Sequence, residues 1–524
     1  MFKGDGIILK KVTAFIVILS CIMSTATVWA TPTGFSGGVN NEYQYEEIVF
    51  ISGEPIKFVG EIDIRESERK DTKTITYKIS NLKPEDTSIS GDLDRTLTVV
   101  TEYAERTDKG QTIADTSITR YTETIQIGND RYVLSDMQFS KSDVIDNRPA
   151  ADFYSGTIKA RKYYTINRDE GSVIVDISGG DVGYQNFWGN TETQVLDYNI
   201  IYDRQMEVEG EDGEGDSTQS ISWQGAVKVQ NSDSTTKVLS YAENEANFSS
   251  FNGGYMRVTK GEMVSKYDYD LPRMDTSETG YAVTSAKTAL PHATRRLKDD
   301  IQLSKTMVPK VERLVVPKFR DTGGHWAQGY IERLYSLDVF DGSSQFFTPE
   351  VAMTRQEFTK GVIKACDIRP TLVEKKTSSR RRNQPPEESL FNDVDVEDSD
   401  YEYIKQAVEK GIITGTSNGF FSPGDPLTRA QAITILIRAL GFENKAPTPG
   451  YYTSFSDDRK IPEWAKDCIY VASEFGLVTG DEYNNINPNK VMTRAEASAM
   501  LVRFLEFLEG DLQTDYRENI IYFN

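Results

Sequence analysis

Three stretches of this chain open alike: MTRQEFTKG at 353–361, LTRAQAITI at 427–435 and MTRAEASAM at 492–500. Arg355, Arg429 and Arg494 each follow a proline (Pro349, Pro423, Pro488) by six residues. Phe347, Phe421 or Ile486 stands two residues before that proline, and Gly342, Gly415 or Gly480 lies thirteen or fourteen residues ahead of the arginine. Each unit begins FRD (319), FND (391) or FSD (455). A period of this length constrains the fold more than local propensity does. A unit of about 50 residues cannot bury a core alone, so the three should pack on one another.

One unit reads as helix, loop, helix. In the third, Trp464, Ile469, Ala472 and Phe475 recur at helical spacing and predict an amphipathic first helix, with Gly476 placed for a left-handed end. Thr493 with Glu496 three residues on predicts a capping box at the second helix, which should bury Ala497, Met500, Leu501 and Phe504. Thr428 with Gln431 and Thr354 with Glu357 repeat the pattern. The arginine then falls on the first helical position, exposed and among free N–H groups. A cation there opposes the helix dipole, so it calls for a partner. That partner is either an external carboxylate, held bidentately, or an acidic side chain of the neighbouring unit.

FxD, Trp-Ala (326–327 and 464–465), the TG or DG turn, FxP or INP, and the TRQE, TRAQ and TRAE starts together resemble three tandem surface-layer homology (SLH) domains over residues 319–506. The resemblance implies a pseudo-threefold, spindle-like helical module. It also implies non-covalent attachment of an exported protein to secondary cell-wall polysaccharide, often through pyruvylated N-acetylmannosamine. The binding arginine carries over to Arg355, Arg429 and Arg494, and the turn glycines to Gly342, Gly415 and Gly480. Departures are Ser399-Asp400 in place of Trp-Ala, Gln356 in place of alanine, and Asp338 where the other units have Gly411 and Gly476.

Upstream the period is two. TITYKIS, SVIVDIS, DYNIIYD and GAVKVQN, separated by Gly, Asn and Asp clusters, predict an all-β, sandwich-like region over 43–290. Lys3, Lys10 and Lys11 ahead of VTAFIVILSCIM and VWA predict a signal peptide over 1–30. The remaining divisions are a flexible segment 31–42, a linker 291–318 with at most a short helix, SLH units 319–366, 391–441 and 455–506, a basic, Pro-containing insert 367–390, a linker 442–454, and a tail 507–524. EVEGEDGEGDST (207–218) reads as a solvated acidic loop that lacks the ligand spacing of an EF-hand.

The net charge of −21 argues against nucleic acid and anionic membrane as partners. It means that an anionic polymer would need local cationic sites. Past residue 30 only Cys366 and Cys468 remain, each in a helical pattern, and they read as buried thiols. GTSNG at 415–419 matches G-x-S-x-G, but it falls in a turn, and beyond residue 30 the histidines are His292 and His325. No catalytic residue, metal site or cofactor is assigned. The expected partner is pyruvylated secondary cell-wall polysaccharide, with no nucleic acid, no membrane after signal cleavage, and self-assembly possible. The sequence therefore reads as a bacterial surface protein that works by binding. A tethered polysaccharide-active enzyme, or an adhesin or layer component, is the alternative for 43–290.

Overall fold

The computed structural model describes residues 37–511 apart from 70, 209–216, 243–253, 273–295, 317, 343, 367–387 and 418. The signal peptide, most of the acidic loop and of the insert, and the tail beyond 511 lie outside the described residues. The region is all-β, as expected; its strands pair antiparallel and form one sheet rather than a two-layer sandwich. Its strands are β1 (Val39–Asn40), β2 (Tyr45–Val49), β3 (Ile56–Gly60), β4 (Ile62–Arg69), β5 (Thr72–Pro84), β6 (Gly91–Arg106), β7 (Gln111–Ile127), β8 (Asp130–Asn147), β9 (Asp152–Ile166), β10 (Gly171–Asn186), β11 (Gly189–Val208), β12 (Ser217–Ala242), β13 (Gly254–Pro272), β14 (Arg296–Thr306) and β15 (Lys310–Arg313).

Each long strand pairs with its sequence neighbours, with β3 and β4 sharing one edge of β5, and β14 and β15 one edge of β13. Lys305 of β14 pairs with Glu46 of β2 at 2.5 Å, and Asn41 donates to the Thr306 carbonyl at 3.4 Å. First and last strands thus lie together, and the twisted sheet nearly closes into a barrel. Closure explains why a second layer is unnecessary. Inward positions such as Ile158, Tyr164, Val173, Leu196 and Val229 are buried, while Lys159, Arg161, Asp197 and Lys228 face out. That outer face is charged, the reverse of a lipid-facing band.

Two boundaries read from the sequence change. Within the segment expected as linker, residues 296–306 and 310–313 are strands. Only Leu297, Ile301 and Leu303 turn inward, and the charges between them, typical of an edge, hid the period of two. Part of the segment read as flexible is tied down, since Ser265 and Tyr267 both donate to the Gly37 carbonyl and Val39 is buried.

The repeats fold into six helices: α1 (Gln328–Ser336), α2 (Arg355–Ala365), α3 (Tyr401–Glu409), α4 (Arg429–Leu440), α5 (Glu463–Glu474) and α6 (Arg494–Glu506). The second helix of each unit packs on the first helix of the next: α2 on α3, α4 on α5, and α6 back on α1. At the centre the Met353 N–H donates to the Met492 carbonyl (3.0 Å), Met492 to Leu427 (2.9 Å) and Leu427 to Met353 (2.8 Å). This closed triangle of backbone bonds marks the pseudo-threefold axis, and all three side chains are buried. Trp464 departs from its expected place on the core stripe and is 52% exposed. The stripe is Ala465, Cys468, Ile469 and Ala472, all buried, and a residue one step off is turned about 100° away. Cys366 and Cys468 are buried thiols, and burial pushes Cys468 up to about 12.

Barrel and module share a core. Ala150, Ala151 and Trp188, from two hairpin turns, pack with the helices. Phe153 lies 6.1 Å from Phe442, and Asn186 donates to the Leu508 carbonyl at 3.0 Å.

Candidate functional site

Each unit's opening aspartate builds the loop that the site rests on. Asp321 accepts from the N–H groups of Phe347 (2.9 Å) and Thr348 (2.6 Å), Asp393 from Phe421 (2.8 Å) and Ser422 (2.7 Å), and Asp457 from Ile486 (2.8 Å) and Asn487 (2.9 Å). The second residue of each pair has a left-handed φ, of 55°, 59° and 52° respectively. A carboxylate bridging two adjacent N–H groups holds a conformation that costs energy for residues other than glycine. Burial opposes the charge on Asp321, yet these backbone bonds keep its carboxyl below the ordinary range.

The loop so formed reaches the preceding unit in the ring. Arg355 N–H donates to the Asp425 carbonyl (3.1 Å) and Gln356 N–H to Pro423 (3.0 Å). Arg429 and Ala430 donate to Lys490 and Pro488, both at 2.9 Å, and Arg494 and Ala495 to Val351 (2.8 Å) and Pro349 (3.0 Å). The threonine hydroxyl then accepts from the third position in all three helices. The expectation of free N–H groups beside the arginine is therefore overturned. The helix starts are consumed by the neighbouring proline loop, and the guanidinium is the donor left over.

The three arginines then part ways. Arg355 is only 7% exposed; its Nη2 donates to the Thr414 carbonyl at 2.6 Å, and the guanidinium lies 5.0 Å from the Phe421 ring centre. Its expected exposure is thus wrong, because the next unit's turn folds over it. Arg429 is half-buried and its Nη2 donates to the Thr479 carbonyl at 3.1 Å. Among the described residues neither has a carboxylate within ion-pair distance. Arg494 pairs with Glu357 and stacks 4.5 Å from Phe347. Burial draws Arg355 and Arg429 below the ordinary arginine value, and the nearby Arg438 adds to this at Arg355.

Arginine and glycine meet across units, not within one. Thr414 precedes Gly415 and Thr479 precedes Gly480, so Arg355 faces the Gly415 turn and Arg429 the Gly480 turn. A Cβ on Gly415 would lie 2.7 Å from the Phe420 carbonyl oxygen, and one on Gly480 would lie 2.8 Å from Asn484 Cα. A Cβ on Gly342 would meet the Tyr335 hydroxyl at an ordinary 3.8 Å, and Arg494, which completes the ring, faces the first unit through Phe347.

The S-layer homology domain family model matches residues 318–359, 390–433 and 454–498. This chain carries three S-layer homology domains. It is 30% identical over 191 residues to an exoglucanase of Acetivibrio thermocellus, covering 36% of this chain and 16% of that protein. It is 40% identical over 122 residues to an endoglucanase of a Bacillus strain (23% and 12%), and 32% identical over 128 residues to a surface-layer 125 kDa protein of Lysinibacillus sphaericus (24% and 10%). The chain thus spans only a small fraction of the length of these relatives. S-layer homology domains place it as a secreted protein attached to the cell surface or wall.

Three features of these S-layer homology units escaped the sequence. The identity of the carboxylate on Arg494 is one: an acid of the neighbouring unit was one of the two expected partners, but nothing singled out Glu357. Glu357 sits where a capping box needs it, yet its carboxylate leaves the box for Arg494, while Gln431 and Glu496 close theirs. Exposed aromatics are the second: Phe346 and Phe420 stand 53% and 45% exposed next to the ring residues that arginines stack on, Phe347 and Phe421. Their adjacency to the FxP residue was the available signal. The loop-holding role of Asp321, Asp393 and Asp457 is the third. Of the signals set aside, Ser417 of GTSNG bridges to Phe420 in a turn, and His325 contacts Glu350 at 2.9 Å.

Proposed function

We propose that the three S-layer homology domains grip a secondary cell-wall polysaccharide through an acidic substituent such as a pyruvate ketal. The protein thereby displays its β region, residues 43–290 together with the strands up to 313, outward from the wall. The observation that carries this is the state of Arg355 and Arg429. Arg355 is buried and Arg429 half-buried; each guanidinium is anchored by one backbone carbonyl and, among the described residues, has no carboxylate within ion-pair distance. A desolvated guanidinium without an anion is costly, and a carboxylate ligand offsets that cost bidentately. Gly415 and Gly480 allow the tight turns that follow the anchoring Thr414 and Thr479 carbonyls, and Phe420 offers a sugar an apolar face. Arg494 with Gly342 forms the third groove, which Glu357 competes for. Weak sites on one rigid module gain by avidity along a repeating polymer.

Pelleting with purified walls tests the assignment. Replacing Arg355, Arg429 and Arg494 together by alanine should reduce the wall-bound fraction to background with the helical signal intact. Glu357→Gln should raise wall affinity a few-fold by vacating Arg494. Unchanged pelleting of the triple variant, or equal binding to walls stripped of secondary polymer, defeats the proposal.

A further inference from the structure

The barrel interior holds two clusters of buried charge, and one of them does not close. In the first, Arg95 pairs with Glu47 at 2.7 Å and with Glu123 at 2.5 Å, and Lys162 reaches Glu123 at 3.5 Å. Tyr121 and Tyr164 also donate to Glu123, and Tyr45 to Glu47. Two cations meet two carboxylates, and every carboxylate oxygen has a partner.

The second cluster is unbalanced. Lys141 contacts Asp181, Asp143 (3.3 Å) and Glu192 (3.9 Å), and Asp233 adds a fourth carboxylate; Lys73, at the rim, is drawn off by Glu66. Strand register makes this a band across the sheet. Asp143 lies opposite Gly156, Gly156 opposite Asp181, Asp181 opposite Gln194, and Glu192 opposite Asp233. A Cβ at Gly156 would overlap the Asp143 carboxylate, so that glycine makes room for it.

The unmet hydrogen-bonding capacity there is all of one kind. Oδ1 of Asp143, Asp181, Asp233 and Asn190, and Oε1 of Gln194, are buried without a donor. Gln194 Nε2 donates to Glu192 at 2.8 Å, which fixes the amide so that its oxygen points elsewhere. Asp233 and Gln194 are only 3% and 2% exposed. Buried acceptors without donors are uncommon and costly, so several around one space point to a donor that comes from outside.

That space is a cavity of about 300 Å³, lined by Asp143, Asn190, Glu192, Gln194 and Asp233. Tyr77, Tyr103, Phe139 and Tyr154 also line it. It extends to Asp152 and Gln185, beside the hairpin turns that dock on the helices. Its size is at the lower end of small-ligand pockets. Among the described residues no three carboxylates converge as a metal cage requires. The acceptors are spread along a wall, which suits an extended ligand with several donors.

We propose that this cavity binds an amino sugar, with its ammonium group between the cross-strand pair Glu192 and Asp233, its hydroxyls on Asp143, Gln194 and Asn190, and its apolar ring face on the tyrosines. Burial pushes the Asp143 carboxyl up to about 7 and also raises Glu192 and Asp233, the direction that a nearby ammonium would oppose. This site is independent of the arginine grooves and does not rest on the wall-binding reading.

Titration calorimetry on the full chain at neutral pH, in physiological salt, tests it with three probes: a glucosamine tetramer, its N-acetylated counterpart, and calcium chloride. The glucosamine tetramer should bind, the acetylated one at least roughly tenfold more weakly. Asp233→Asn and Glu192→Gln should each weaken the glucosamine tetramer at least roughly tenfold without lowering the melting temperature. Equal binding of the two tetramers, no binding of either, unchanged affinity in both variants, or displacement of the sugar by calcium overturns the proposal. Should either variant fail to fold, the contrast between the tetramers on the unaltered chain decides.

Discussion

The helical module and the barrel spend their carboxylates differently. In the module, Asp321, Asp393 and Asp457 are committed to backbone N–H groups, and among the described residues Arg355 and Arg429 have no carboxylate within ion-pair distance. In the barrel, the carboxylates around Lys141 exceed the cations and leave acceptors unmet, whereas those around Arg95 are matched. An unmatched buried group of either sign lowers stability when nothing is bound. The difference teaches that the matched cluster needs nothing from outside, while the unmatched groups are where the two proposed ligands would be taken up.

The sharpest break of that contrast is Glu123→Gln. It removes the carboxylate that Arg95 and Lys162 share in the matched cluster, which should cost about 3–5 kcal/mol in urea unfolding. A loss no larger than that of a surface substitution would dissolve the distinction between the clusters. Acidity probes the same contrast with opposite signs. Burial opposes charge on Glu123, but Arg95 and Lys162 hold its carboxyl far below the ordinary value, so its contribution is present above about pH 4 and is lost as pH falls. Asp143 is raised from 3.8 to about 7, so its contribution is complete below pH 3.8 and is lost as pH rises through 7. Asp143→Asn should therefore gain stability relative to the parent between pH 4 and pH 8, on the order of 1–3 kcal/mol by thermal melts at each pH. A constant difference across that window would show that Asp143 does not titrate there. The smallest effect belongs to the module. Thr493→Ala should cost about 1 kcal/mol, because it opens a capping box that is closed on both sides.

Much of the module was legible in the sequence because its signals are local. Thr493 with Glu496 and Thr428 with Gln431 sit three residues apart, and both boxes form. Gly476 takes φ +66° where a helix end was read, and Asp338, its counterpart in the first unit, takes φ +57°. The barrel was legible as alternating strands but not as one closed sheet, since a period of two marks an inward face without saying what covers it. The polar band was hidden for a related reason. Asn231, Asp233 and Thr235 follow Val227 and Val229 in the same alternation, and read one strand at a time they look like a frayed end.

The sequence alone therefore settled the apolar face of the long strands, where the second helices begin, and that the arginine recurs at each second-helix start. These follow from spacings of two to four residues within one element. Only the tertiary structure decided that Arg355 meets the turn of the next unit, that Glu357 claims Arg494 from 137 positions away, and that β14 returns to the first strands. Contacts of that range depend on how whole elements pack, and no local pattern in the chain records them.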